Sequence, residues 1–160
     1  MNCPNCGAAL EALPNRAHLR CGHCESLHFP EPTGEGVVLL DQEHRSECPH
    51  CQKRLTTAVL DGGEVGYCGQ CRGMLLSSDH FAKVVASRRE VRELEHKQLE
   101  PIDPKELRRS AGCPKCKLRM DTHPFGGGGN AVVDSCYRCK LVWLDAGELT
   151  VLEQFASASA

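Results

Sequence analysis

The residues best suited to chemistry in this chain are its twelve cysteines, which all fall in pairs of the form Cys-x-x-Cys. The pairs are Cys3/Cys6, Cys21/Cys24, Cys48/Cys51, Cys68/Cys71, Cys113/Cys116 and Cys136/Cys139. One such turn brings two sulfurs within reach of one ion, and two turns supply the four thiolates of a tetrahedral zinc site. We therefore expect three Zn²⁺ ions, each bound by four cysteines.

Disulfides are the main alternative use of paired cysteines. The start, Met1-Asn2-Cys3-Pro4, has no secretory signal, and no apolar run approaches the ~20 residues of a membrane span. The expected compartment is the cytoplasm, where thiols stay reduced and cysteine pairs favour metal. Iron in a rubredoxin-like site is chemically possible, whereas c-type haem would need a histidine after the second cysteine, which no pair has.

The predicted metal sites are structural rather than catalytic. Four thiolates leave no open position at which zinc can activate water. His23 and His50 lie within two of the pairs and can replace a cysteine as ligand, but four cysteines already fill each site, so both are expected to be exposed. No Ser-His-Asp order or carboxylate pair stands out, and the protein is predicted not to be an enzyme.

The spacing of the pairs divides the chain into three units. Gaps within a unit are 14, 16 and 19 residues, and gaps between units are 23 and 41. Shorter loops cost less entropy to close, so each ion is expected within its own unit, with cross-braced pairing as the alternative. The fold class is therefore a small, metal-dependent, mainly β protein: three tandem four-cysteine zinc ribbons, with a helix after the second and third.

Each inner gap has the pattern of a β-hairpin. The predicted strands are 9–12 and 17–20 in the first unit, 54–60 and 64–67 in the second, and 118–123 and 131–134 in the third. Asp61-Gly62-Gly63 is a strong turn sequence. The glycine run at 126–130 is interpreted as a flexible hairpin tip, because no Gly-Lys-Ser/Thr follows it as in a phosphate loop.

Units two and three continue from the last cysteine into a strand and then a helix. Asp145 and Glu148 can form a capping box, and Ser77 with His80 a weaker one. A charged helix is predicted over 78–100, stopped by Pro101, with a short helical turn before the third unit. Its charges between residues 88 and 97 are expected to form a solvated face, and the helix either acts as a spacer or docks between units two and three.

The predicted domains follow from these boundaries. They are ribbon one at 1–42, ribbon two at 43–77, a charged helix and linker at 78–110, ribbon three with its helix at 111–155, and a frayed tail at 156–160.

The third unit carries a family likeness. Its Cys113-Pro114-x-Cys116 and Cys136-x-x-Cys139, followed by Val-Trp-Leu-Asp-x-x-Glu-Leu at 142–149, resemble the bacterial transcription-factor-IIB-type zinc-ribbon family. The second unit is similar to a diverged copy, with Leu75 in place of the family's Trp and Ser77 in place of its Asp, and the first is a generic zinc ribbon. The resemblance implies contact with nucleic acid or the transcription machinery.

The net charge of the chain indicates which class of partner to expect. The formal net charge is −2, and three filled sites would take it to roughly −8, unlike the strongly basic balance of most proteins that grip phosphate. We expect a non-catalytic adaptor that binds protein or nucleic acid. The alternative is a thiol redox or zinc-carrier activity through an exposed Cys-x-x-Cys.

Trp143 is either a contact residue or packed on its own hairpin. A nucleic-acid reader would use Arg72, Arg88, Arg89, Arg92 and Arg138.

Overall fold

The computed structural model describes residues 1–91, 101–125 and 131–153 and is mainly β. The strands are β1 Leu10–Ala12, β2 Leu19–Cys21, β3 Leu27–His28, β4 Val38–Glu47, β5 Arg54–Leu60, β6 Gly63–Tyr67, β7 Met74–Ser77, β8 Asp121–Phe125, β9 Ala131–Cys136 and β10 Leu141–Leu144. The helices are α1 Ser78–Val91 and α2 Glu148–Glu153, with a 3₁₀ turn at Glu106–Arg108. The predicted fold class, three four-cysteine ribbons in a mainly β protein, is confirmed. Among the described helices, none is both long and apolar enough to cross a membrane.

Ribbon one is a small antiparallel sheet in the order β1-β2-β3. Its Leu19 is buried in a cluster with Val38 and Leu40 of β4 and Val59 of β5. The Met1 amino group also lies 2.8 Å from Asp41 Oδ2. Ribbon one is therefore packed against the larger sheet.

Ribbons two and three share one seven-stranded sheet, in the order β4-β5-β6-β7-β10-β9-β8. The junction is the antiparallel pairing of β7 with β10, in which Leu75 lies opposite Trp143. These two residues are also equivalent in the two ribbons, since each is the fourth residue after the last cysteine of its unit. The ribbons are thus related by a local twofold axis at the Leu75–Trp143 pair.

Successive side chains of β7 and β10 point to opposite faces of the sheet and therefore contribute to two hydrophobic cores. Met74 and Leu76 on β7, with Val142 and Leu144 on β10, face the side covered by the helices. Because successive strand residues point to opposite faces, Trp143 and Leu75 instead face the cysteines. The helix side is completed by Phe81 and Val84 of α1 and by the equivalent Leu149 and Leu152 of α2.

The second hairpin matches its prediction closely. β5 covers the predicted residues, and the turn has positive φ at Asp61 (46°) and Gly62 (80°), as type I′ turns require. In the third hairpin β8 begins at Asp121 rather than at Leu118, because Lys117 (φ 63°) completes a turn and Arg119 pairs with Gly112 instead. The glycine run at 126–130 and the tail at 156–160 lie outside the described residues.

β4 is ten residues long. Its apolar start, Val38 to Leu40, continues through polar residues to Glu47, and it pairs with β5 across two register shifts. An edge strand with one solvated side accepts such polar residues.

Helix α1 starts at Ser78 as predicted, and the part of the predicted helix after Val91 falls outside the described residues. Arg88, expected on a solvated face, points inward. Its guanidinium binds Asp61 (Nε to Oδ2 2.5 Å) and Glu153, and donates to the Glu35 carbonyl (3.0 Å). One side chain thus joins a hairpin turn, α2 and the segment between β3 and β4.

Candidate metal centres

All twelve cysteines lie in three clusters, one in each unit, and within each cluster the four Sγ atoms are within 4.8 Å of one another. Nearest distances include 3.4 Å between Cys6 and Cys21 and 3.6 Å between Cys51 and Cys68. Four thiolates at ~2.3 Å from one ion would stand about 3.8 Å apart, so these clusters fit a tetrahedral metal. The cross-braced pairing is not the arrangement found.

The backbone of each Cys-x-x-Cys turn, here called a knuckle, ends in a left-handed residue. These residues are Gly7, Glu25, Gln52, Arg72, Lys117 and Lys140, with φ between 52° and 78°. In the knuckle that begins at Cys48, the N–H of Gln52 donates to the Cys48 carbonyl (3.0 Å) and Cys48 N–H to the Lys53 carbonyl (2.8 Å). These bonds hold the two sulfurs on the same side of the turn.

Hydrogen-bond donors favour the thiolate form, which binds metal, at some sulfurs of each cluster, whereas burial and the neighbouring sulfurs raise the pKa of others, Cys48 to about 11 and Cys139 to about 12. The backbone N–H of Lys53 lowers the pKa of Cys51 to about 7, and that of Leu118 does the same for Cys116. In the first cluster the Ser26 hydroxyl, 3.0 Å from Cys24 Sγ, lowers the pKa of that thiol to about 5.

The second and third clusters share an apolar core that contains Trp143. This indole is completely buried, together with Leu75 and cysteines from both clusters. A Cβ on Gly73 of ribbon two would stand 2.4 Å from Trp143 Cζ2. Trp143 is therefore not a surface contact, and it packs against ribbon two as well as its own hairpin.

A polar network closes this core on one side. Trp143 Nε1 donates to Asp145 Oδ1 (2.9 Å), His50 Nε2 lies 3.4 Å from the same oxygen, and Arg109 pairs with Asp145 Oδ2. Burial alone would raise the pKa of Asp145, but these donors hold it at about 2. His50 of ribbon two thus contacts a carboxylate of ribbon three, which the sequence did not reveal. His23 and His50 are both exposed as expected.

The two predicted capping boxes are each half formed. At α2 the Glu148 carboxylate accepts from Asp145 N–H (2.6 Å), while the Asp145 side chain is used by the network above. At α1 the Ser77 hydroxyl accepts from His80 N–H (3.2 Å), and the His80 ring instead bonds the Leu60 carbonyl (2.8 Å).

Arginines expected to read nucleic acid fall into two groups. Arg88 is held as described, and Arg89 donates to the Leu152 carbonyl at the end of α2 (2.9 Å). Arg72 and Arg138 are exposed, and Arg92 lies outside the described residues.

Comparison with protein families matched one part of the chain. Residues 47–87 match the model Zn_ribbon_TFIIB, described as a transcription factor zinc-finger. This segment holds ribbon two and the first part of α1, so the likeness predicted for this unit is confirmed. The other two four-cysteine clusters lie outside the match, and the likeness of ribbon three stays a prediction. Neither the search of curated proteins nor that of solved structures gave a match.

Proposed function

We propose that this protein is a non-catalytic, zinc-dependent adaptor whose ribbons present binding surfaces to protein or nucleic acid. Its three clusters hold one structural Zn²⁺ each. The observation that carries the proposal is the closed geometry of these clusters: each has four cysteine sulfurs within 4.8 Å, so a bound ion has all its positions filled by the protein. The match of ribbon two to a transcription factor zinc-finger supports a role in transcription.

Zinc supplies the folding energy that the small cores lack. Metal binding by ribbon-sized peptides contributes ~10–16 kcal/mol, which exceeds what a short hairpin gains by burying side chains. The sulfurs of the second and third clusters form part of the core itself, so removal of metal would expose thiolates to an apolar interior. The metal therefore maintains the binding surfaces and takes no part in a reaction.

Metal analysis of the purified chain tests the structural part of the proposal. We expect three Zn²⁺ per chain, and loss of the near-ultraviolet signal of Trp143 on chelation. Affinity capture of the tagged, zinc-loaded protein, with and without nuclease, tests the adaptor part. Turnover that depends on a side chain outside the knuckles would refute it.

A thiol redox or zinc-carrier activity is the second candidate. The observation in its favour is that Cys6 is exposed to solvent, whereas the other eleven cysteines are buried or half-buried. Alkylation kinetics of the zinc-loaded protein separate the two candidates. If Cys6 reacts as fast as a free thiol, the carrier activity gains support; slow alkylation of all twelve thiols excludes it.

A further inference from the structure

Ribbon three exposes an aromatic surface that its own fold does not use. Tyr137, within the last knuckle, is 71% exposed, more than any other large apolar side chain in the described ranges. Its ring stacks on His123 of β8, with an angle of 16° and centroids 6.4 Å apart. The His123 ring is fixed in turn by Ser135 Oγ (3.0 Å) and the Pro124 carbonyl (3.1 Å). Two aromatic planes are thus held in place at the surface.

The two knuckles of ribbon three are rich in cations. The exposed ones in or beside the two knuckles are Lys115, Lys117, Arg119, Arg138 and Lys140. Within the described parts of the chain, Lys117 alone among them lies within ion-pair distance of an acid, Glu47 at 3.9 Å. A zinc ion with four thiolates leaves about −2 on the cluster, so the five cations exceed the local negative charge.

Chain position places part of this charge near the rings. Arg119 is two residues before Asp121, and the pairing of β8 with β9 ends at Asp121 and Ser135, two residues before Tyr137. Arg138 directly follows Tyr137 in the knuckle. The Tyr137 hydroxyl donates to Asp121 Oδ2 (3.4 Å), so a carboxylate also lies beside this ring.

Ribbon two lacks the two rings at the equivalent positions, although it has exposed cations, Arg54 and Arg72, in place of Arg119 and Lys140. Gly69 and Gln70 replace Tyr137 and Arg138, and the counterpart of His123 is the buried Ala58. β4 also covers the outer edge of β5, whereas β8 is the last strand of the sheet. The surface therefore belongs to ribbon three and is not a by-product of the ribbon fold.

We propose that Tyr137, His123, Arg119 and Arg138 form a site for single-stranded nucleic acid. Exposed aromatic planes stack with unpaired bases, and nearby cations neutralise the phosphates between them. A duplex keeps its bases stacked and offers no free face to Tyr137. An acidic peptide would use the cations but not the ring plane. The inference rests on the proposed adaptor function and names its partner class.

The test is fluorescence anisotropy of the zinc-loaded full chain with labelled 15-nucleotide oligo(dT), oligo(rU) and a duplex of the same length. We expect the single strands to bind more tightly than the duplex. If about three phosphates are contacted, log K should fall against log salt with a slope of about −2. Tyr137→Ala should weaken binding about 5- to 150-fold, the range of one base–aromatic stack, and Tyr137→Phe should retain it.

Two further variants use the molecule's own symmetry and charge. The double variant Tyr137→Gly/Arg138→Gln gives ribbon three the residues of ribbon two and should abolish binding, while Gly69→Ala/Gln70→Ala is the matched control. Asp121→Asn should tighten binding because it removes a negative charge from the surface.

Equal binding by the wild type and Tyr137→Ala, at unchanged zinc content and circular dichroism, overturns the inference, as does weaker binding by Asp121→Asn. A chain that holds three Zn²⁺ and retains a defined set of proteins after nuclease, yet binds no oligonucleotide, also overturns it. That last result leaves the adaptor function in place, so the two failures are distinguishable.

Discussion

At the Leu75–Trp143 pair, two equivalent residues of different size meet across the local twofold axis. Gly73, next to the Trp143 ring, is equivalent to Leu141. The larger Trp143 thus meets no side chain at position 73, whereas the leucine at the equivalent position 141 packs in the same cluster as the smaller Leu75. The two ribbons have thus diverged in complementary ways, because an interior packed at the density of a crystal has room for only one large ring here.

Gly73→Ala should destabilise the protein by about 1–3 kcal/mol, the usual cost of overpacking. Its Cβ would meet Trp143 Cζ2 at 2.4 Å and the Leu144 carbonyl at 2.7 Å, and backbone cannot move aside easily. Urea unfolding of the zinc-loaded protein measures the loss. Gly69→Ala is the control, since its Cβ would meet nothing within 4 Å. Equal stability of the two variants would contradict the packing argument.

A second residue, Glu148, makes the stability of the fold depend on pH. Burial raises its pKa to about 8 from the ordinary 4.5, with Asp145, Asp134 and Glu106 adding to the effect. A raised folded-state pKa means stability that is complete below pH 4.5 and is lost as the pH rises through about 8. Protonated Glu148 is therefore the form that the fold prefers.

Glu148→Gln keeps an acceptor for Asp145 N–H and removes the titration. Its stability relative to the wild type should increase between pH 6 and 8, by at most about 1.4 kcal/mol per pH unit, and level off above pH 8. Unfolding curves of both proteins at matched zinc give this difference, in which the effect of pH on metal binding cancels. Glu31→Gln, at an exposed carboxylate, is the matched control. A flat difference for Glu148→Gln would refute the raised pKa.

At the scale of elements, the segment between β3 and β4 contacts both helices. The Thr33 hydroxyl accepts from Val37 N–H (3.1 Å), which shapes the turn. Burial raises the pKa of Glu35, an effect that the nearby backbone N–H groups of Gly147, Thr150 and Leu149 at the start of α2 oppose. Gly36, with φ 81°, passes so close to Arg88 that a Cβ there would meet its Nη2 at 2.9 Å. Specific contacts therefore hold the connection between ribbon one and the seven-stranded sheet in place.

Arg88→Ala should cost about 2 kcal/mol or more, because it removes ion pairs to Asp61 and Glu153 from a side chain that is only 18% exposed. Denaturant unfolding checks the value. Lys83→Ala, on an exposed position of α1, is the matched control and should change stability by less than about 0.5 kcal/mol. If both variants lose the same free energy of unfolding, the ion pairs of Arg88 contribute no more than an exposed charge does.

For the whole molecule, the shared core implies that the second and third metal centres are coupled. Trp143 packs with cysteines of both clusters, and β7 pairs with β10 between them. Ribbon one has its own sheet of two- and three-residue strands, and one of its ligands is exposed. Metal loss from one shared-core cluster should therefore loosen the other, while ribbon one acts separately.

We expect a chelator to remove one equivalent of zinc first, without change in Trp143 fluorescence, and two further equivalents together with a change in that emission. A colorimetric zinc indicator and tryptophan fluorescence, recorded in the same experiment, measure both phases. Cys6→Ser should remove the early phase alone, and Cys51→Ser should weaken both later equivalents. Three independent phases would contradict the coupling.

The sequence by itself determined the ribbons. Cysteine spacing, with the low cost of closing short loops, assigned four sulfurs to each unit, and the Asp61-Gly62 turn fixed the second hairpin because few residues accept positive φ at both positions. These features are local, so a one-dimensional pattern contains them.

Only the tertiary structure decided how the ribbons meet. The β7–β10 junction, the buried position of Trp143, the contact of His50 with Asp145 and the pairing of Arg88 with Glu153 all join residues more than fifty positions apart. An indole or a guanidinium has the same sequence pattern whether it faces solvent or a neighbouring ribbon. The choice depends on the volume and charge that the other ribbon supplies, and that is known only once the chain has folded.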